Sequence, residues 1–138
     1  MKFVIGADED RPILAFLAAH LREKNHDVRV LPIAPWARIA TDVASTVSRG
    51  DADQGIVCCW TGTGVTIAAN KIAGIRAALC TDAQTATGAR KWNDANILAM
   101  SLRTLSEPVA SEIVDAWLAT KYDGTEDASL AIIKLSEA

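Results

Sequence analysis

The sequence lacks the features that mark membrane, secreted and metal-binding proteins. None of its apolar runs approaches the roughly 20 residues that a transmembrane helix needs. Its three cysteines are an odd number and two are adjacent, so they favour a reducing compartment over a disulfide framework. The two histidines, His20 and His26, lie in or just after the first predicted helix and indicate no metal site. We therefore expect a cytoplasmic protein that needs no metal or cofactor and binds no membrane.

Clusters of basic residues are also missing. The formal net charge is −3 at pH 7, which argues against nucleic acid or an anionic membrane as the partner. Residues 2–6 are typical of a strand rather than of a secretory leader. Half of the residues are apolar, and a chain of 138 residues buries a core without cross-links. We find no linker or repeat, so we predict one domain over residues 1–138.

Apolar segments alternate with segments of helical periodicity along the whole chain. The predicted strands are residues 2–7, 27–33, 55–59, 75–80 and 95–100. The predicted helices are residues 12–25, 37–49, 65–72, 82–91, 107–120 and 127–136. Such alternation is typical of βαβ units. We predict an α/β fold, a three-layer αβα sandwich with a five-stranded parallel sheet of Rossmann-like type.

The carboxyl ends of the predicted strands carry most of the residues with useful chemistry. In an open parallel sheet the functional crevice lies beyond these ends. The segments that follow the strands are Asp8-Glu9-Asp10, Cys59 with its glycine-rich turn, Thr81-Asp82 and Ser101-Leu102-Arg103. The topology therefore gathers carboxylates, a thiol and a guanidinium at one edge.

The segment around the glycines is the strongest single motif. An apolar strand ends at Cys59, the turn Thr61-Gly62-Thr63-Gly64 follows, and a helix begins. Free N–H groups at such a turn suit a bound or developing negative charge and would stabilise a neighbouring thiolate. Dinucleotide binding is an alternative interpretation, with Asp82 as the ribose-binding acid, but the third glycine of that fingerprint is replaced by Ile67.

The motif Cys59-x-Thr61-Gly62-x-Gly64-x-x-Ile67-Ala68-Ala69-Asn70-Lys71-x-x-Gly74-Ile75-Arg76-Ala77 is similar to the signature of the ribose-5-phosphate isomerase B and galactose-6-phosphate isomerase family. Further similarities are Asp8 after the first strand, Asn93-Asp94-Ala95-Asn96-Ile97-Leu98, Asp115-Ala116-Trp117-Leu118 and Tyr122-Asp123-Gly124. The resemblance covers nearly the whole chain. It implies a dimer or tetramer that interconverts aldose and ketose sugars or sugar phosphates through an enediolate, at sites shared between subunits.

The resemblance also implies roles for individual residues. Cys59 corresponds to the base that moves the proton between C1 and C2, and Thr61 could add its hydroxyl. The backbone N–H groups from Thr61 through Gly62 and Thr63 to Gly64 would form an anion hole for the enediolate oxygen. Asp8 corresponds to a residue that binds sugar hydroxyls, and Asn93 to one that faces the site from the other subunit. The competing interpretation of Cys59 is a small buried apolar side chain, which we assign to Cys58 and Cys80.

Three departures from the family pattern affect the expected substrate. Glu9 stands where many members have a histidine, and we expect it to orient or protonate sugar hydroxyls. Trp92 replaces the ring-opening histidine and cannot shuttle a proton, although Trp92 and Trp60 could stack on a sugar face. The C-terminal basic cluster that holds phosphate in relatives is replaced by Thr125-Glu126-Asp127-Ala128, so phosphate binding would need Arg90, Lys91 or Arg103.

Three explanations of these departures stay open at the level of sequence. The protein is an isomerase for a non-standard sugar, either unphosphorylated or with its anion placed differently. Alternatively, it is the cysteine-bearing subunit of a heteromeric isomerase whose other subunit supplies the histidine and the arginines. In the third explanation it has lost catalysis and is a binding protein of the same fold.

Overall fold

Strands and helices alternate along the chain, and the computed structural model describes residues 1–137. The strands are β1 (Lys2–Ala7), β2 (Asp27–Val30), β3 (Gln54–Cys59), β4 (Ala77–Leu79) and β5 (Ile97–Ser101). The helices are α1 (Pro12–Glu23), α2 (Trp36–Ser48), α3 (Thr63–Ala69), α4 (Ala83–Asn93), α5 (Glu107–Ala119) and α6 (Asp127–Leu135). Every predicted element is present, and the differences are confined to the ends of elements.

The five strands form one parallel sheet in the order β2-β1-β3-β5-β4. Parallel neighbours need crossover connections, which place the helices on the two faces of the sheet. The apolar side chains of α1, α4 and α5 pack on one face, and those of α2 and α3 pack on the other. The three-layer αβα sandwich predicted from the sequence is confirmed.

Strand β3 lies at the centre of the sheet and is buried at all six positions. Its side chains alternate between the two faces: Cys58 packs among residues of α1, α4 and α5, whereas Val57 and Cys59 pack against α2 and α3. At its start, the buried amide of Gln54 accepts a hydrogen bond from Trp117 Nε1 at 2.8 Å. This bond satisfies a polar group that would be costly to bury without a partner.

Two element ends differ from the prediction for local reasons. Strand β2 ends at Val30 rather than at residue 33. Leu31 N still donates to Ile5 O at 2.9 Å, but Pro32 has no N–H with which to continue the ladder. Helix α2 begins at Trp36, one residue earlier than predicted, so this tryptophan belongs to the first turn of a helix rather than to a loop.

The helices differ in how deeply they are embedded. The longest have 13 residues, and within residues 1–137 none has both the length and the apolar character needed to cross a bilayer. Helix α6 buries none of its side chains, and Ile132 and Leu135 are largely exposed. The core is therefore built by the sheet and the first five helices.

Candidate active site

The register of the central strands brings the segments that follow β1, β3 and β5 side by side. Ala7 pairs with Cys58, so Asp8, the next residue, lies beside Cys59. On the other side Cys59 pairs with Ser101. Adjacent strands are about 4.8 Å apart, so these three residues form a row across the carboxyl edge of the sheet. The predicted convergence of Asp8 and Cys59 at one edge is what the fold produces.

Cys59 is the last residue of β3 and lies at this carboxyl edge. The residue is 5% exposed and packs on the face of the sheet covered by α2 and α3. Its backbone oxygen accepts a hydrogen bond from Leu102 N at 2.9 Å, so β5 holds the end of β3 in place. Only a small part of the Cys59 surface is therefore open to solvent.

The turn after Cys59 is held against β5 and β4. The oxygen of Trp60 accepts hydrogen bonds from Arg103 N at 3.0 Å and from Ser101 Oγ at 2.8 Å. Gly62 has φ +78°, and a Cβ at this position would lie 2.6 Å from Leu79 Cδ1 and 3.0 Å from the carbonyl carbon of Met100. The left-handed backbone and the close packing both require glycine here.

Helix α3 begins at Thr63, within this turn, so its first N–H groups lie at the carboxyl edge of the sheet. Thr66 N and Thr66 Oγ1 both donate to Gly62 O, at 3.4 and 2.7 Å. The N–H groups of Thr63 and Gly64 precede this first helical bond and have no acceptor within the helix. The hydroxyls of Thr61 and Thr63 are 2.8 Å apart. The turn therefore offers several hydrogen-bond donors next to Cys59.

One carboxylate oxygen of Asp8 lacks a hydrogen-bond partner. Its Oδ1 is buried and makes no hydrogen bond to any of the residues 1–137. Burial raises the pKa of this carboxyl group from its ordinary value of 3.8; a backbone hydrogen bond opposes the rise, and the charge of Glu9 adds to it. A buried, unpaired carboxylate oxygen is costly in the free protein. A ligand hydroxyl that donates to Asp8 would remove this cost.

Two exposed tryptophans, Trp60 and Trp36, lie next to the row of Asp8, Cys59 and Ser101, and Arg11 contacts one of them. Arg11 Nη2 donates to Glu9 Oε1 at 3.0 Å, and the Arg11 guanidinium carbon lies 5.2 Å from the centre of the Trp60 ring. Trp36 packs against Gly64, where a Cβ would be only 2.9 Å from Trp36 Cε3. Trp36 and Trp60 are each about half exposed. Exposed aromatic surface of Trp36 and Trp60 therefore adjoins the glycine turn.

Comparison with known proteins assigns this architecture to a family. The family model described as Ribose/Galactose Isomerase matches residues 3–133. The chain belongs to the ribose/galactose isomerase family. It is 40% identical to ribose-5-phosphate isomerase B of Escherichia coli K12 over 131 residues, which is 89% of this chain and 87% of the relative.

Solved structures of the family superpose closely on the chain. Ribose-5-phosphate isomerase B of Clostridium thermocellum is 36% identical with a TM-score of 0.94, over 99% of this chain and 97% of the other. The Mycoplasma genitalium enzyme, solved with bound ribulose-5-phosphate, is 31% identical with a TM-score of 0.92, over 99% and 95%. These findings identify the chain as an aldose–ketose isomerase and confirm the resemblance of the central motif.

Trp92 and Asn93 do not join the other predicted site residues of this ribose/galactose isomerase within one chain. They end α4, which returns to the amino edge of the sheet, and both are exposed. Asn93 lines a cavity together with Asn70 and Ile133. Strand β5 lies between this edge and Cys59 and spans roughly 16 Å at 3.3 Å per residue. Within one chain, Asn93 therefore lies far from Cys59.

The three basic side chains that could replace the missing phosphate-binding cluster differ in their contacts, and Arg103 is the one without a side-chain partner among the described residues. Arg90 is half-buried and donates to the backbone oxygens of Ala95 and Thr120, so its hydrogen bonds are used within the fold. Lys91 lies over the Trp92 ring at the amino edge. Arg103 is exposed at the carboxyl edge, and its side chain makes no hydrogen bond or ion pair with any described residue.

Other residues singled out from the sequence have structural roles. Cys58 and Cys80 are fully buried, and burial raises the pKa of each thiol to about 12, which agrees with their assignment to the core. Asp82 caps α4 by accepting from Thr85 N at 2.7 Å. Asp82 therefore has a structural role as the cap of α4. Within residues 1–137 no three His, Cys, Asp or Glu side chains cluster as a metal site would require.

Replacing Gly62 by alanine tests the packing of the turn. The positive φ costs about 1–2 kcal/mol, and the clash with Leu79 and the Met100 backbone adds about 1–3 kcal/mol. We expect Gly62→Ala to lower the free energy of unfolding in urea by about 3 kcal/mol. Gly50→Ala is the matched control, because Gly50 has φ +83° with nothing within 4 Å of a Cβ. Equal losses in the two variants would show that close packing at Gly62 is unimportant.

Replacing Asp8 by asparagine tests the cost of its buried carboxylate. Because burial raises its pKa, the carboxylate form disfavours folding, and this cost appears as the pH rises through the pKa. We expect Asp8→Asn to raise Tm by about 2–4 °C at pH 7, and the gain to disappear at a pH below the ordinary value of 3.8. Asp10→Asn, on the same loop but exposed, should change Tm little at either pH. A gain that is independent of pH would contradict the electrostatic explanation.

Proposed function

We propose that the protein isomerises a sugar phosphate between its aldose and ketose forms, with Cys59 as the base. The observation that supports this most directly is the row formed by Asp8, Cys59 and the glycine turn at one edge of the sheet. The thiolate of Cys59 removes the proton from C2 of the aldose and returns it to C1, while the hydroxyl proton moves from O2 to O1. The reverse sequence converts the ketose.

The turn stabilises the charge that develops during this transfer. As the C–H proton leaves, negative charge builds on the enediolate oxygen, and N–H donors fixed near that position lower the barrier most effectively. The backbone N–H groups from Thr61 to Gly64 provide such donors, and the Thr61 hydroxyl adds one more. Asp8 accepts a hydrogen bond from a sugar hydroxyl and thereby fixes the carbon chain above the thiol.

The complete site is formed by two copies of the chain. Asn93 and Trp92 lie at the amino edge of their own sheet, about the length of β5 away from their own Cys59. In a symmetric dimer the amino edge of one copy can face the crevice of its partner, and each interface then contains two equivalent sites. Asn93 would contact the sugar there, and Trp92 would offer an aromatic face to it.

The substrate's anion is held at a different place from that implied by the family resemblance. The segment 122–127 forms hydrogen bonds within itself: Thr125 donates to Asp123, and the Tyr122 hydroxyl donates to Asp127. All charged side chains of this segment are acidic. Arg103 is exposed, and its backbone is joined to the turn beside Cys59. We therefore assign the phosphate of the substrate to Arg103.

Proton exchange at C2 tests the role of Cys59. We expect the wild-type protein to replace the C2 proton of ribose 5-phosphate by deuterium in D2O, measured by NMR. Cys59→Ser should lower this rate by at least about 100-fold, the usual size of a lost general base. Cys58→Ser is the control, because Cys58 is fully buried on the other face. Exchange retained in Cys59→Ser would rule out Cys59 as the base.

Mixing two inactive variants extends this test to the shared site. We expect Asn93→Ala to be nearly inactive, yet a refolded equimolar mixture with Cys59→Ser should regain about a quarter of the wild-type activity. Half of the dimers are then mixed, and one of their two sites is intact. A mixture as inactive as its components would show that the two residues do not act in one site across an interface.

Replacing Arg103 by glutamine tests the assignment of the phosphate. Loss of a charged hydrogen bond should raise KM for ribose 5-phosphate by about tenfold or more, whereas KM for free ribose should not change. Arg49→Gln serves as the control, because Arg49 is an exposed arginine at the far end of α2. If KM for the phosphate is unchanged in Arg103→Gln and free sugars react equally well, the substrate is unphosphorylated.

A further inference from the structure

Three side chains at the rim of the crevice are joined to one another. Arg11 donates from Nη2 to Glu9 Oε1 at 3.0 Å, and the same guanidinium covers the Trp60 ring at 5.2 Å. Glu9 and Arg11 belong to the segment between β1 and α1, whereas Trp60 follows β3 directly after Cys59. Through Arg11, two segments that are far apart in sequence meet at the mouth of the site.

We propose that Arg11 is a positioning residue that holds the Glu9 carboxylate and the Trp60 indole in place for the sugar. This inference rests on the proposed function, since it concerns the same crevice. Glu9, next to Asp8, then accepts hydrogen bonds from sugar hydroxyls, and Trp60 presents the part of its ring that Arg11 leaves uncovered. Arg11 acts on the substrate only through these two side chains.

The backbone on both sides of this contact is fixed. Arg11 is the cap residue of α1 with Pro12 as the first helical residue, and Leu14 N donates to Arg11 O at 3.0 Å. On the other side, Trp60 O accepts from Ser101 Oγ at 2.8 Å and from Arg103 N. The five N–H donors of a guanidinium lie in a rigid planar fork, so Arg11 can donate to Glu9 and lie over the Trp60 ring in one fixed arrangement. A lysine ammonium lacks this planar fork.

The ion pair between Arg11 and Glu9 contributes little to the stability of the fold. The Arg11 and Glu9 side chains are 39% and 46% exposed, and exposed ion pairs contribute little to folding. A fixed orientation is useful for binding, because a glutamate that is already ordered loses less side-chain entropy when a sugar arrives. The segment also carries three carboxyl groups, on Asp8, Glu9 and Asp10, against one guanidinium. It is therefore suited to hydroxyls, while the phosphate lies towards Arg103.

A double-mutant cycle in the Cys59→Ser background tests the proposal by binding rather than by turnover. Ribulose 5-phosphate is titrated by calorimetry into variants carrying Glu9→Gln, Arg11→Gln or both. We expect each single change to raise Kd about tenfold, and the double change to raise it about tenfold rather than a hundredfold, because coupled residues are not additive. Arg11→Lys should restore binding only in part relative to Arg11→Gln, since it keeps the charge but loses the planar fork of donors.

A second measurement needs no ligand. In the free protein, Glu9→Gln should shift the NMR signal of the Trp60 indole N–H, assigned through Trp60→Phe, because the guanidinium is no longer held over the ring. Arg49→Gln, which breaks the exposed ion pair with Asp51, should change neither Kd nor this signal.

Several outcomes would overturn the inference: an unchanged Kd in Arg11→Gln, additive effects in the cycle, or an unmoved Trp60 signal in Glu9→Gln. The proposed function fails separately, if the wild-type protein binds the sugar with the expected coupling but exchanges no C2 proton.

Discussion

The register of β1 and β5 against β3 is the constraint on which the site depends. Pairing of Ala7 with Cys58 and of Cys59 with Ser101 determines that Asp8 and Cys59 are neighbours at the carboxyl edge. This register is strongly specified, because every residue of β3 is buried and a shift by one position would exchange the side chains of its two faces. The geometry of the proposed site is thus set by the same packing that forms the core.

The two edges of the sheet have different uses in this architecture. The carboxyl edge carries the thiol, the unpaired Asp8 and the N–H groups of the glycine turn. The amino edge carries Asn93 and Trp92, because every helix after a parallel strand returns to that edge. A site that needs residues from both edges can be completed only between two chains. In our proposal, the protein is therefore active only when two chains associate.

Much of the architecture could be read from the sequence, because it follows from patterns of neighbouring residues. Alternating apolar periods predicted the three layers, and the position of strand ends predicted the row of Asp8 and Cys59. The sequence did not reveal the contact of Arg11 with Trp60 or of Trp36 with Gly64, because each joins side chains from separate segments. It also could not decide which of Arg90 and Arg103 is free, since this depends on the carbonyl groups of Ala95 and Thr120.

The two adjacent cysteines show how the pleat of β3 makes the position of each sulfur depend on the length of the strand. Cys58 and Cys59 point to opposite layers, and one of them is sealed among α1, α4 and α5. Inserting or deleting a single residue within β3 would exchange the layers that the two sulfur atoms face, so the sulfur that we propose as the base would turn towards α1, α4 and α5. The loops that follow the strands can change without this exchange, whereas any odd change in the length of β3 moves both sulfur atoms to the opposite layers.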